Sequence, residues 1–169
     1  MYWAHRYAED ARLDAVPEKI IQPKNLGIGI YPLHAGDVYS PLVLDELDTI
    51  APLLVARGDD DYHDILLDER MKREHILTFE GVTIWLFHEF RAESWQRYGQ
   101  LNEVTWDRTE KHPDVIVYGH THKAGLEYCG SVLTVTPGSA TFPNYVRTPG
   151  TVGLLRINSG RAEAQIIQL

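Results

Sequence analysis

Polar clusters of Gly, His and Asp follow apolar runs at four places in this chain, and that recurrence limits the fold more than any other feature. His34-Ala35-Gly36-Asp37 closes the run over residues 27–34. Gly58-Asp59-Asp60-Asp61 follows Pro52–Ala56. His88-Glu89 ends the run that starts at Val82, and Gly119-His120-Thr121-His122 follows Asp114–Tyr118. Short apolar runs bounded by turn residues are the pattern of buried strands. In α/β sheets, ligands bind just beyond the carboxyl ends of the strands. Four such loops therefore converge on one crevice. The glycines before Asp37, Asp59 and His120 permit sharp turns and close backbone approach.

The rest of the chain fits strands alternating with helices. Residues 14–22 carry a weak helical pattern. Ser40-Pro41 opens a second helix, with Ser as cap and Pro at the first position. Val43, Leu47 and Ile50 share its apolar face. Residues 76–79 and 82–88 read as a hairpin turned at Glu80-Gly81. Residues 92–111 read as a long helix whose stripe is Trp95, Tyr98, Leu101 and Trp106. Strands near 125–129, 131–136, 151–157 and 162–168 complete the pattern. Alternation followed by a strand-rich half predicts an α/β fold with a mixed sheet or two packed sheets.

With 169 residues, 44% of them hydrophobic, the chain makes one domain, residues 1–169, with an ordinary core. A net charge of −8 argues against bulk binding to nucleic acid or anionic lipid. No run approaches the ~20 apolar residues of a membrane span. The single cysteine, Cys129, excludes a disulfide framework and a CxxC motif. The N-terminus has no signal-peptide pattern, so the expected location is the cytoplasm. Gly27-Ile28-Gly29 precedes a strand and lacks a third glycine, so it is no dinucleotide fingerprint, and there is no Walker A loop. Cys129 as a nucleophile lacks a helix N-terminus to lower its pKa.

Carboxylates and imidazoles without thiolates suit Mn, Fe, Zn or Ni. His120 and His122 stand two apart, so on an extended backbone they point the same way and can bind one metal or two neighbouring ones. Taken singly, a strand-end Asp is a turn former or cap. The Asp59-Asp60-Asp61 run alone reads as a solvated loop, and His88 alone as a satisfied polar residue. The joint pattern favours metal.

His34-Ala35-Gly36-Asp37-Val38, Arg57-Gly58-Asp59-Asp60-Asp61, His88, Gly119-His120-Thr121-His122 and Thr136-Pro137-Gly138-Ser139 together resemble the calcineurin-like metallophosphoesterase superfamily, in its small single-domain phosphodiesterase branch. The resemblance covers residue 27 to the end. It implies a four-layer α-β-β-α sandwich with two mixed sheets and a two-metal site at the strand ends. Asp37 would bridge both metals, His88, His120 and Asp59 would hold the second, and His122 the first. Asp37, Asp59 and His88 would form the catalytic group, and Arg147 resembles a substrate-side arginine. The implied cofactors are two divalent ions, Mn first, with Fe, Zn or Ni as alternatives. The implied substrate is a small phosphodiester or phosphomonoester, hydrolysed through a metal-activated water; a homo-oligomer is compatible with all of this.

The chain departs from the family pattern at three points. The usual first strand, ending in Asp-x-His, is missing: Trp3 stands where the Asp belongs, and His5 is the histidine left to serve as ligand. Asp59 replaces an Asn, adding charge and losing a donor toward phosphate. Glu89 follows His88 where Gly is common. Asp60 stands where some members have a histidine, so no general acid is evident. The alternative function is a catalytically impaired member of the fold acting as a binding or scaffold module.

Overall fold

The computed structural model describes residues 31–90 and 112–169. The expected helices at 14–22 and 92–111, the start of the strand at 27–34, Trp3 and His5 all lie outside those residues.

The apolar runs form the strands. They are β1 (Leu33–His34), β2 (Leu54–Ala56), β3 (Met71–Lys72), β4 (Glu74–Phe79), β5 (Val82–Phe87), β6 (Val115–Val117), β7 (Ala124–Cys129), β8 (Val132–Pro137), β9 (Thr151–Asn158) and β10 (Arg161–Gln168). One α-helix, α1 (Pro41–Asp48), lies among the described residues, with short 3-10 turns at His63–Leu67 and Pro143–Tyr145. Ser40 caps it from an extended backbone, its Oγ accepting the Leu42 N–H at 3.3 Å. The apolar face centres on Leu44, which is fully buried; Val43 and Leu47 flank it, and Ile50 falls beyond the helix end.

The strands form three sheets. β1-β2-β3 is parallel across both pairs, with Leu33 opposite Leu54 and Val55 opposite Met71. The five-stranded sheet runs β4-β5-β6-β8-β7. It is parallel at its centre and antiparallel at both flanks, hence mixed. β9 and β10 form a separate antiparallel pair. The turn between β4 and β5 is the expected Glu80-Gly81, both with positive φ, 47° and 84°, as a tight primed hairpin turn requires.

Successive residues of β2 face opposite cores, as a two-residue period demands. Ala56 and Leu54 face a core shared with Val82, Ile84 and Leu86 of β5 and Val115 and Val117 of β6, so this core lies between the two larger sheets. Leu155, Ile157, Ala162 and Ala164 of the last hairpin pack against it. Val55 faces the other way, into a second core with Leu44 of α1 and Met71 of β3. Helix, sheet, sheet is therefore the layer order on this side. Among the described residues no helix is long and apolar enough to cross a membrane.

Candidate metal centre

The carboxyl ends of β1, β2, β5 and β6 deliver Asp37, Asp59, His88 and His120 to one place. Glycines make the approach possible. Gly36 has φ +99°, and a Cβ there would stand 2.6 Å from His88 Nδ1 and 2.7 Å from Gly58 Cα. A Cβ on Gly58 would collide with the backbone nitrogen and the carboxylate of Asp37. One on Gly119 would stand 3.0 Å from the Ala35 carbonyl oxygen. The loops thus pack so closely that a side chain at Gly36 or Gly58 would collide, and one at Gly119 would be tight.

Asp61 holds two of these loops in place. Its buried carboxylate accepts N–H groups from Asp37 at 3.0 Å, Val38 at 2.7 Å and Gly58 at 2.8 Å. Satisfying buried N–H groups in this way removes a desolvation cost on each. Asp61 is the structural member of the Asp59-Asp60-Asp61 run, a role the sequence does not distinguish. Asp60 is exposed; its N–H donates to Asp37 Oδ1 at 3.0 Å, and its carboxylate accepts the Tyr39 hydroxyl at 3.2 Å.

The converging side chains are chiefly acceptors. His88 Nδ1 lies 2.6 Å from the Ala35 carbonyl oxygen, which only accepts, so Nδ1 carries the proton. His88 Nε2 then faces Asp59 Oδ1 at 2.6 Å, His120 Nδ1 at 3.2 Å and Asp37 Oδ2 at 3.3 Å. His120 Nδ1 also lies 3.1 Å from Asp59 Oδ1. His120 can offer one proton at most against two carboxylates and an imidazole lone pair. Such a surplus of lone pairs at contact distance calls for a cation. Asp59, His88 and His120 place their ligand atoms within 4.8 Å of one another. Nitrogen and oxygen donors with no thiolate fit a divalent transition metal. The residues present therefore fit the expected metal.

Exposure grades across the site. The side chains of His88 and Asp37 are 7% and 10% exposed, while those of His120 and Asp59 are 39% and 63%. His88 and Asp37 form a floor, and Asp59 and His120 an open rim. Burial pushes the Asp37 carboxyl above its ordinary range, against the Asp60 N–H and His88. Burial opposes ionisation of Asp59 as well, but hydrogen bonds to His120 and His88 prevail and hold it below the usual range. Burial also lowers His34, whose Nδ1 accepts the Gly36 N–H at 3.2 Å. His34 thus braces the turn that leads to Asp37.

Backbone strain gathers at the same loops. Asp37, Tyr39, His120 and His122 all have left-handed φ, from 55° to 69°, a conformation costing ~1–2 kcal/mol per residue without glycine. Strain of this kind collects where a side chain must be aimed.

His122 lies apart from the Asp59, His88 and His120 group. Its Nδ1 is 3.1 Å from the Phe142 carbonyl oxygen, and its ring stacks on Tyr145 at 4.6 Å. Nδ1 is thereby the donor, which leaves Nε2 as its ligand atom. Arg147 is exposed, two residues beyond Tyr145. The sequence reading missed Asp61, His34 and Tyr145. A third consecutive Asp and a histidine already inside the His-Ala-Gly-Asp block were the available signals; Tyr145 carried none.

Residues 31–160 match the calcineurin-like phosphoesterase superfamily domain. A probable metallophosphoesterase of Methanothermobacter thermautotrophicus is 32% identical over 136 residues, spanning 80% of this chain and 74% of that one. The structure is similar to wild-type Vps29 of Entamoeba histolytica complexed with zinc, with a TM-score of 0.59 and 22% identity over 90% of this chain and 89% of that one. It is similar to an archaeal phosphodiesterase to the same TM-score, 0.59, at 20% identity over 81% and 82% of the two chains. At those identities the two structures establish the shared fold.

Proposed function

The chain belongs to the calcineurin-like phosphoesterase superfamily, and from that premise we propose that it is a metal-dependent phosphoesterase acting on small phosphodiesters. The observation that carries the reading is the locked His88, whose Nε2 meets Asp59, His120 and Asp37 in a cluster short of protons. Divalent ions bound there would activate a water for in-line attack and offset the charge of the phosphate.

Each residue then has a task. Asp37 and His88 hold from the floor, Asp59 and His120 from the rim, and His122 with His5 would complete a second position. Two ions are proposed, Mn first; the zinc in the related Vps29 structure supports Zn as the alternative. Ala35 fixes the His88 tautomer, and Asp61 fixes the loops that carry Asp37 and Asp59. Arg147 is proposed on the substrate side. Asp59 accepts and cannot donate to a phosphate oxygen, so orientation of the anion falls to other groups. The surface stays acidic, which favours a small substrate over bulk nucleic acid. The whole chain would act as one domain in the cytoplasm, where its lone Cys129 stays reduced.

The test is turnover of bis(p-nitrophenyl) phosphate with Mn²⁺. Wild type should cleave it, and Asp37→Ala should not. Equal rates for the two would sink the proposal.

One observation favours a second reading, a binding module with an impaired site. The fold is shared with Vps29. Calorimetric titration with Mn²⁺ separates the two: two tight sites support the enzyme, and one weak site or none supports the module.

A further inference from the structure

A cavity of about 510 Å³ opens beside His120 and extends over β7 and β8. That size is ordinary for a small-molecule site. Tyr118, His120, Lys123, Glu127, Thr136 and Tyr145 contribute to its wall. Gly125 pairs with Thr136 and Glu127 with Thr134, so the floor is a single face of the sheet. The floor hydroxyls are already committed as donors. Thr136 donates to the Lys123 carbonyl at 3.1 Å, and Thr134 to the Glu127 carbonyl at 3.0 Å. Lys123 and Glu127 cancel in formal charge. A cavity of that make-up offers little to a second phosphate and much to an uncharged group.

Tyr145 stands at the rim. One face of its ring lies on His122, at 4.6 Å and 23°, and Phe142 meets it edge-on at 6.0 Å. The residue is nevertheless 61% exposed. Asn144 and Tyr145 are both left-handed, with φ 51° and 62°. Two adjacent strained residues persist only where the surroundings hold them, a pattern typical of ligand clamps. Here the strain serves to hold an aromatic ring at the mouth of the cavity.

We propose that this cavity receives the non-reacting arm of the phosphodiester, and that the arm is an uncharged planar ring, aryl or nucleobase, stacked on Tyr145. The inference rests on the phosphodiesterase reading above. His120 joins the two sites: it belongs both to the acceptor cluster and to the cavity wall. A phosphate held at the cluster would thus sit next to the cavity, within reach of one of its ester arms.

Two diesters with the same leaving group test this: bis(p-nitrophenyl) phosphate and methyl p-nitrophenyl phosphate. They differ only in the arm that stays. Wild type should prefer the aryl diester in kcat/KM. Tyr145→Ala should reduce that aryl-to-methyl ratio about tenfold, the order expected for one stacked ring, and Tyr145→Phe should preserve it. An unchanged ratio in Tyr145→Ala overturns the proposal, including the case of equal loss on both diesters, which would assign Tyr145 to holding His122. A second readout needs neither metal nor turnover. Saturation-transfer NMR on the metal-free protein should show transfer to the adenine protons of adenosine, lost in Tyr145→Ala. No transfer in wild type overturns the proposal. If neither diester is cleaved, the hydrolase reading falls, and the NMR arm alone decides whether the cavity is a site for planar rings.

Discussion

Nδ1 of His88 and the carbonyl oxygen of Ala35 meet at 2.6 Å, across 53 positions of sequence. This one hydrogen bond decides which nitrogen of His88 faces the cluster. Removing the ring removes a floor ligand. His88→Ala should weaken Mn²⁺ binding at least as much as loss of a supporting partner does, ~10–100-fold. Wild type should melt higher with Mn²⁺ than with a chelator, because a ligand of the folded state stabilises it. His88→Ala should show little such difference. Calorimetry and thermal melts check this, and an equal metal-induced shift in the two proteins would remove His88 from the site.

Gly58→Ala should be costly. The added methyl would collide with the backbone nitrogen and carboxylate of Asp37. Overpacking of this kind costs ~1–3 kcal/mol, which lowers the melting temperature by several degrees for a domain this size. Loss of turnover should accompany it, because Asp37 is displaced. A variant that melts and turns over like wild type would mean that the loops are free to part.

Asp60 and Asp61 are neighbours with opposite expectations. Asp61→Ala orphans the N–H groups of Asp37, Val38 and Gly58. An unsatisfied buried donor costs ~1–3 kcal/mol, so this variant should be severely destabilised in urea. Asp60→Ala, at an exposed position, should change stability by ~0.5 kcal/mol or less. Equal urea midpoints for the two variants would remove the special role of Asp61.

Acid should destabilise the fold in a window set by histidine. His75 is buried, with its Nε2 2.8 Å from the Val55 carbonyl oxygen. Burial pushes its pKa below 6.5, against the pull of that carbonyl. As pH falls through 6.5, the unfolded histidine takes up a proton and the folded one does not. The unfolded state then binds more protons, so stability drops with pH until the folded value is passed. His34 acts in the same direction. The urea midpoint should be lower at about pH 5.5 than at about pH 7.5, and His75→Gln should flatten part of the slope. Identical midpoints at the two values would refute it.

Much of this architecture is legible in the sequence because apolar runs and glycine punctuation carry it. Val82–Phe87, Val115–Val117 and Val132–Pro137 are strands in which burial on two faces demands β-branched and aliphatic residues, and the Glu80-Gly81 turn follows from φ preferences alone. β3 is different: Met71–Lys72 is two residues long and leaves no pattern to read. The apolar face of α1 centres on Leu44 rather than on Val43, Leu47 and Ile50, and the helix ends at Asp48, two residues before Ile50. At the site, residue types and order are visible, but the division of labour is not. Asp59, Asp60 and Asp61 are identical letters, and only contacts to loops more than twenty positions away make one a rim group, one a surface residue and one a buried brace.

The left-handed backbone at His120 and His122 sets function against durability. Glycine would occupy φ 69° and 55° without the steric penalty these histidines carry. His120→Gly, at the open rim, should therefore melt near or above wild type in metal-free buffer while losing the chemistry. A selection for heat resistance alone would erode this protein from its centre outward. The positions where a shrunken side chain raises the melting point trace what the chain keeps for use rather than for folding.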